Sequence, residues 1–354
     1  MNIYFLVFVV TLLIQFVPVK GNNGYLKRVI ITFIPMFLYG ALRVDFGFDY
    51  PSYESEFYLA HLYSDIEDVS EHSEIGYVLL EKIIPTWRLL IIITSAMTCV
   101  AYGFVFYKCV PPTYSWLAII LLFLAGDKTI FFQFSGIRNA IAIAIMYMSI
   151  TFVRDKKWMP FFLLTAVAFS MHTSAILMMP LVFFLCSGKD MSKREAVFWI
   201  VAMLVLQVTS LNSFYIQMTD IVSRYLDRYT SYAELAVERG DNRSFLIRGT
   251  IAVFIILTVI FMRKNKLTKE MNVVCRLSLL FVFSFLLSSL NYRMPQYFGF
   301  AFVCGSTILI SKWRGHLARY LYLALTFLFL FYSFYIVFMG MPDFPYQIYN
   351  SVFG

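Results

Sequence analysis

Apolar runs of about 16 to 22 residues make up most of this chain. A helix rises about 1.5 Å per residue, so such a run crosses the roughly 30 Å hydrocarbon core of a bilayer. Segments of alternating polarity, which are typical of outer-membrane barrels, do not occur in the sequence. With 60% hydrophobic and 14% charged residues, the 354-residue chain has too little polar surface for a water-soluble globule. We therefore expect an all-α polytopic membrane protein that forms one integral domain, residues 1–354.

The apolar runs and the charged residues between them predict about twelve transmembrane helices. These lie near residues 2–18, 29–43, 88–107, 114–126, 136–153, 158–171, 174–187, 195–211, 245–262, 271–290, 295–311 and 318–340. The segments 158–171 and 174–187 are both short for a full crossing, so they form either two spans or one broken segment.

Lysine is almost confined to alternate connections between the predicted spans. Because Lys and Arg near span ends favour the cytoplasm, we place these connections on the cytoplasmic side. They contain Lys20, Lys27, Arg28, Lys108, Arg154, Lys156, Lys157, Lys189, Lys193, Arg194, Arg263, Lys264, Lys266, Lys269, Lys312, Arg314 and Arg319. Most acidic residues and both termini then lie on the outer side. The net charge of +8 is thus a sign of topology and indicates no nucleic-acid partner.

Two long connections fall on the outer side, at residues 44–87 and 212–244. Both have apolar and aromatic residues at helical spacing among charged ones, so we expect them to be partly helical. Loops of this length in a compact fold are more often functional than idle. The chemistry of the protein is therefore expected on this side.

Arginine replaces lysine on the predicted outer side. Arg43, Arg138 and Arg293 stand where an apolar helix begins or ends, and Arg224 and Arg228 are spaced for one helical face. A guanidinium group binds phosphate oxygens in pairs, so this bias suits a fixed anionic ligand. The alternative is that these side chains snorkel to the membrane surface or pair with acids of the loops.

Candidate bases are fewer on that side. Asp49 follows the second span, Glu74 and Glu81 enclose the segment EIGYVLLE, and His172 lies at an outer helix break. A histidine titrates near neutral pH and acts as a base without a metal. An exposed carboxylate is usually only solvated and a lone histidine is often structural. Which of Asp49, Glu74 and His172 acts as the base therefore stays open.

Motifs for nucleotides and metals are missing from the sequence. It has no P-loop, HExxH, GxSxG or DxD motif, and its five cysteines form no CxxC pair, so we expect no metal and no cofactor. The driving force must then come from the substrate, such as a lipid diphosphate whose departing charge arginines stabilise. The tyrosines nearest the charged residues can stack on sugars, or belong to the aromatic belt of the membrane surface. They are Tyr50, Tyr53, Tyr77, Tyr225, Tyr229 and Tyr292.

Five segments carry a family resemblance, in order from about residue 40 to 295. They read RVDFGFDYPSY, SEIGYVLLEKI, SGIRNAIAIAIMYMSI, FSMHTSAILMMP and SRYLDRY. Together with the predicted spans and arginine-rich outer loops, they resemble the EpsG-like branch of the Wzy-type polysaccharide polymerases.

The resemblance implies a metal-independent glycosyltransferase with a fold similar to the GT-C superfamily. It would polymerise O-antigen or related polysaccharide from repeat units carried on undecaprenyl diphosphate, in lipopolysaccharide or polysaccharide biosynthesis. The site would face the periplasm, at the outer leaflet of the bacterial inner membrane. Expected partners are the lipid-linked glycan, membrane lipid and a chain-length regulator protein.

The resemblance also implies roles for the charged residues. Arg43, Arg138 and Arg293 would bind diphosphate, and Arg224 and Arg228 would hold lipid diphosphate or glycan. Asp49, Glu74 or His172 would activate or orient the acceptor hydroxyl. The alternatives are an O-antigen ligase, which uses the same donor, and a non-enzymatic flippase or transporter for lipid-linked glycan.

Overall fold

Helices are the only regular elements among the residues that the computed structural model describes. These residues are 3–19, 21, 23–44, 49–63, 74–126, 129–208, 245–286 and 293–340. In chain order the helices are α1 (Ile3–Ile14), α2 (Gly24–Ala41), α3 (Tyr50–Leu62), α4 (Ile75–Ile83), α5 (Trp87–Cys109), α6 (Ser115–Leu124), α7 (Ile130–Ser135), α8 (Ile137–Met148), α9 (Ile150–Asp155), α10 (Trp158–Met171), α11 (Ala175–Leu185), α12 (Lys193–Val208), α13 (Phe245–Lys264), α14 (Lys269–Ser284), α15 (Arg293–Lys312) and α16 (His316–Gly340). The prediction of an all-α chain is confirmed for these residues.

Several of these helices have the length and composition of membrane spans. In the described ranges, the stretches Trp87–Cys109, Ile137–Asp155 and Met294–Lys312 are long and apolar enough to cross a bilayer. Shorter apolar helices are Ile3–Ile14, Pro112–Leu124, Trp158–Met171, Ala175–Leu185 and His316–Tyr332. Every predicted span coincides with one helix or a consecutive pair. The chain thus has the helices of a membrane protein, whereas the number of crossings and the GT-C likeness stay predictions.

The centre of the protein is the helix pair α14 and α15, which make the most extensive contact with each other. Gly305 of α15 allows this approach, because a Cβ atom there would lie 2.7 Å from Cβ of Ser278 on α14. Large apolar side chains such as Leu163, Leu177 and Phe184 remain exposed on peripheral helices. An apolar outer surface around a packed interior is what a bilayer solvent requires.

Helices α3 and α4 lie within the predicted first outer loop, residues 44–87, and pack against each other. Tyr50, Tyr53 and Phe57 of α3 are buried with Tyr77 of α4 and Trp87 in one aromatic cluster. Helix α4 also contacts α10. This packing fixes the start of α4 beside the junction of α10 and α11. The predicted second outer loop, residues 212–244, lies outside the described residues.

Candidate functional site

Glu74 is the residue on which the candidate site converges. It precedes α4, and its carboxylate accepts a hydrogen bond from Arg138 Nη1 at 3.0 Å on Oε2. On Oε1 it faces Nδ1 of His172 at 3.0 Å and accepts the backbone N–H of Thr173 at 3.1 Å. The first outer loop, the start of α8 and the α10–α11 junction therefore meet at one carboxylate.

A glycine allows this meeting. Gly76, in the first turn of α4, faces Ser170 of α10 so closely that a Cβ atom would lie 2.2 Å from the serine Oγ. Any other residue at position 76 would push α4 away from α10. The short distance between Glu74 and His172 therefore requires a residue without a side chain at position 76.

Arg138 occupies the first turn of α8, directly after Gly136 and Ile137. Its guanidinium group lies over the rings of Tyr53 and Tyr77, at 5.1 and 5.8 Å from the ring centroids. Its Nη1 atom is also 4.0 Å from a carboxylate oxygen of Glu56 on α3. Aromatic faces and carboxylates thus hold the guanidinium plane in place. The side chain remains 20% exposed, so a ligand can reach it.

The surroundings of Glu74 keep it ionised. Burial disfavours its charged form, but the hydrogen bonds from His172 and Thr173 and the charge of Arg138 outweigh burial and lower the pKa of Glu74 to about 2. At neutral pH Glu74 is therefore an anion and a poor base. Since a carboxylate only accepts hydrogen bonds, Nδ1 of His172 carries a proton, and Nε2 is the nitrogen that can take one.

Glu81, two turns after Glu74, is in the opposite protonation state: it is neutral at neutral pH. Its side chain is fully buried, and the Tyr77 hydroxyl is the one hydrogen-bonding group of the described residues that acts on its carboxyl group. Burial and the nearby Glu56 carboxylate raise the pKa of Glu81 to about 8. The carboxylate that precedes α4 and the carboxylic acid within it thus differ in charge, a difference typical of acid–base sites.

A chain of buried polar groups connects this site to α15. Asn139, next to Arg138, donates from Nδ2 to Oε1 of Gln296 at 3.2 Å. Ser174, which follows Thr173, is hydrogen-bonded to the hydroxyl of Tyr297 at 2.9 Å. These contacts bring the first turn of α15 beside the start of α8. Arg293 is the first residue of α15, although its side chain is not among those described.

Arg43 lies just after α2 and is buried to 2% exposure. It donates from Nη1 to Oγ of Ser95 at 2.6 Å and to the carbonyl of Gly40, and it stacks over Phe134. Its Nε atom has no hydrogen-bond partner in the part of the chain that the structure describes. No carboxylate of the described residues pairs with Arg43, which makes it a buried cation without a counter-charge there.

The other predicted site residues have different placements. Asp49 precedes α3, and no contact of its carboxylate is found with the described residues. Tyr50 accepts a hydrogen bond of 2.9 Å from the indole of Trp87, so its hydroxyl is engaged in the aromatic cluster. Arg224, Arg228 and Tyr292 lie outside the described residues. The structure brings together Glu74, His172, Arg138 and Tyr77.

The sequence reasoning missed several members of the site. Glu56 is one of them: it lies three residues after Tyr53 on α3, which places both on one face, and this spacing was a usable signal. Thr173 contributes mainly its backbone N–H, for which a sequence has no signal. No three His, Cys, Asp or Glu side chains converge as metal ligands within the described ranges.

Comparison with known proteins places the chain in a family. No curated protein and no solved structure matches it. The model of the EpsG family matches residues 26–350, which is nearly the whole chain and includes every residue of the cluster around Glu74. The chain therefore belongs to the EpsG family.

Proposed function

We propose that this chain is a polysaccharide polymerase that joins oligosaccharide repeat units carried on undecaprenyl diphosphate at the outer leaflet of the inner membrane. Membership of the EpsG family suggests a polymerase-type role. The observation that carries the proposal is the histidine held by an ionised carboxylate next to an arginine: His172, Glu74 and Arg138. A base beside a cation is the arrangement that transfer of a sugar from a diphosphate needs.

The reaction would begin with the acceptor hydroxyl. His172 takes its proton on Nε2, an atom that is buried in this structure and that the entering acceptor has to uncover, while Glu74 holds Nδ1–H and stabilises the imidazolium that forms. The hydroxyl oxygen forms a bond to the anomeric carbon of the donor sugar, and the bond from that carbon to the diphosphate oxygen breaks. Undecaprenyl diphosphate leaves with the electron pair. The proton later passes from His172 to solvent.

The diphosphate needs more positive charge than Arg138 supplies. Arg138 lies near two carboxylates, Glu74 at 3.0 Å and Glu56 at 4.0 Å, so its charge is already offset. Arg43 has no such counter-charge among the described residues, but it is only 2% exposed, so its charge acts on the departing diphosphate through the protein interior and not by direct contact. Arg293, Arg224 and Arg228 are the further candidates for this role. Arg138, held between Glu74 and Glu56, then orients the acceptor side.

The test uses a deletion strain complemented with the wild type, Arg138→Lys or His172→Gln at equal membrane expression. The surface glycan of each strain is separated by chain length on a gel. If the chain is a polymerase, deletion leaves only single repeat units on the molecule that carries the glycan at the cell surface, and neither variant restores the ladder of longer chains. If no repeat reaches the carrier at all, a ligase or flippase is supported instead. An unchanged ladder after deletion would remove the proposal.

A purified system separates an enzyme from a flippase. The detergent-solubilised chain is given a polyprenyl-diphosphate oligosaccharide as the only substrate. A polymerase lengthens the glycan and releases one polyprenyl diphosphate for each bond formed. A flippase, a transporter or an assembly subunit leaves the substrate unchanged.

A further inference from the structure

Glu81 is a buried acid that the proposed reaction does not use. The Tyr77 hydroxyl, one turn earlier on α4, is the one hydrogen-bonding group among the described residues that acts on its carboxyl group, and both groups are buried. Residues four apart on a helix project from the same face. The two groups therefore lie side by side, and the guanidinium group of Arg138 is 5.8 Å from the centroid of the Tyr77 ring.

The charged and titratable groups that act on Glu81 come from three helices. Tyr77 is on the same helix, Glu56 approaches from α3, and Arg138 approaches from α8. The guanidinium group of Arg138 has its nearest carboxylate contacts with Glu74 and Glu56, not with Glu81. An ionised Glu81 would lie in a dry environment near the negative Glu56, with the Tyr77 hydroxyl as its one hydrogen-bond donor among the described residues, which does not offset the cost of burial.

A neutral Glu81 resolves this conflict. A protonated carboxyl group can donate its O–H, and because it has no net charge it does not attract the guanidinium group of Arg138. The guanidinium group then stays on Glu74. If Glu81 lost its proton, a second buried anion would compete for the same cation at close range in a low-dielectric site.

We infer that Glu81 is a positioning residue whose neutral form keeps Arg138 on Glu74, and whose ionisation draws Arg138 away and disables the Glu74–His172 pair. As far as it concerns activity, this inference rests on the proposed function. Glu81 is fully buried, so neither donor nor acceptor reaches it. It acts through Arg138 and Tyr77.

The isosteric variant Glu81→Gln gives the sharpest test, because glutamine keeps the shape and the neutral state. With a pKa of about 8 for Glu81, the wild-type rate should fall roughly tenfold between about pH 7 and about pH 9. Glu81→Gln should be active at pH 7 and should not show this fall. If Glu81→Gln is folded but inactive at every pH, or if it keeps the wild-type fall, the inference is wrong.

A second variant tests the electrostatics without changing Glu81. The Glu56 carboxylate raises the pKa of Glu81, so Glu56→Gln should move the alkaline fall in rate to lower pH, measured relative to the maximal rate of that variant. Glu54→Gln makes the same charge change on α3 at a position outside the site, and it should leave the profile where it is. A fall at unchanged pH in Glu56→Gln would contradict the inference.

A spectroscopic measurement keeps this test apart from that of the proposed function. Infrared difference spectra of the purified chain, titrated from about pH 6 to about pH 10, should show the loss of a protonated carboxyl band in the wild type and in Glu54→Gln. The band should be missing in Glu81→Gln. Identical spectra for the wild type and Glu81→Gln would overturn the inference, whereas a wild type that makes no polymer but shows the band overturns only the proposed function.

Discussion

Oε1 of Glu74 lies 3.0 Å from Nδ1 of His172, although the two residues are 98 positions apart in the chain. Glu74 precedes α4 in the first outer loop, and His172 stands between α10 and α11. A carboxylate in this position selects the ring tautomer of the histidine and stabilises its charged form. The two residues that the sequence offered as alternative bases are thus parts of one unit.

The first prediction is that Glu74 and His172 act together. Glu74→Gln and His172→Gln should each lower the rate of polyprenyl-diphosphate release by about 10² to 10⁴-fold, because each removes the oriented base. The double variant should lose little more than either single variant, since residues of one unit are strongly non-additive. Rates of the purified variants measure this, with Glu54→Gln as the charge-matched control. Losses that multiply would show two independent roles.

The second prediction concerns the contact of α4 with α10. Gly76→Ala places a Cβ atom 2.2 Å from Oγ of Ser170, so α4 must shift and Glu74 must move away from His172. The rate should fall by more than the loss of folded protein, judged from the melting temperature, can explain. Adding Ser170→Gly removes the side chain in contact and should restore part of the rate. Gly249→Ala is the matched control, because a Cβ atom at that position meets nothing within 4 Å.

The helical class and the helix positions followed from the sequence because they depend on apolar runs, which are local. The predicted span 136–153, for example, corresponds to α8 and α9, which are divided at Ser149. The arginine at the start of that span was also recognisable, because an ionisable residue at a helix end is costly unless it has a partner. Family membership, which the five motifs indicated, is confirmed by the match to residues 26–350.

The partners of these residues could not be predicted in the same way. The sequence reasoning treated Arg138 as a diphosphate ligand and Glu74 as one of three possible bases, but did not pair them, because residues 74 and 138 are brought together only by tertiary packing. It offered Glu74 and not Glu81 as a candidate base, with no signal for the charge state of either. The opposite charge states of these two glutamates depend on burial and on neighbours from other helices, and neither is visible in the sequence.

The third prediction concerns a buried ion pair at the lysine-rich end of the protein. Arg276 of α14 is fully buried and donates from Nε and Nη2 to both oxygens of Glu195 on α12, at 2.6 and 2.8 Å. Removing one partner leaves the other charge uncompensated. Because Glu195 is 25% exposed, we expect Arg276→Gln to lower the free energy of unfolding by about 2 to 3 kcal/mol.

Denaturant unfolding of the purified chain checks this value. The folded molecules of Arg276→Gln should have the same rate per molecule as the wild type. None of the hydrogen-bond partners of Arg276 belongs to the Glu74 cluster. Arg314→Gln, which changes an exposed arginine, is the control and should unfold like the wild type. A loss of rate in folded Arg276→Gln would link the two ends of the protein.

The fourth prediction uses the low pKa of Glu74, about 2, against an ordinary value of 4.5 for a glutamate. A carboxyl group whose pKa is lowered by folding stabilises the fold above its unfolded pKa, and this contribution is lost as the pH falls through the folded pKa. Wild type should therefore melt several degrees above Glu74→Gln near neutral pH, and the difference should shrink between about pH 4.5 and about pH 2. Thermal melts of both proteins in detergent across this range measure it. A difference that grew toward acid pH would mean that Glu74 is protonated in the folded protein, and the role of Glu74 as the anion that orients His172 would have to be abandoned.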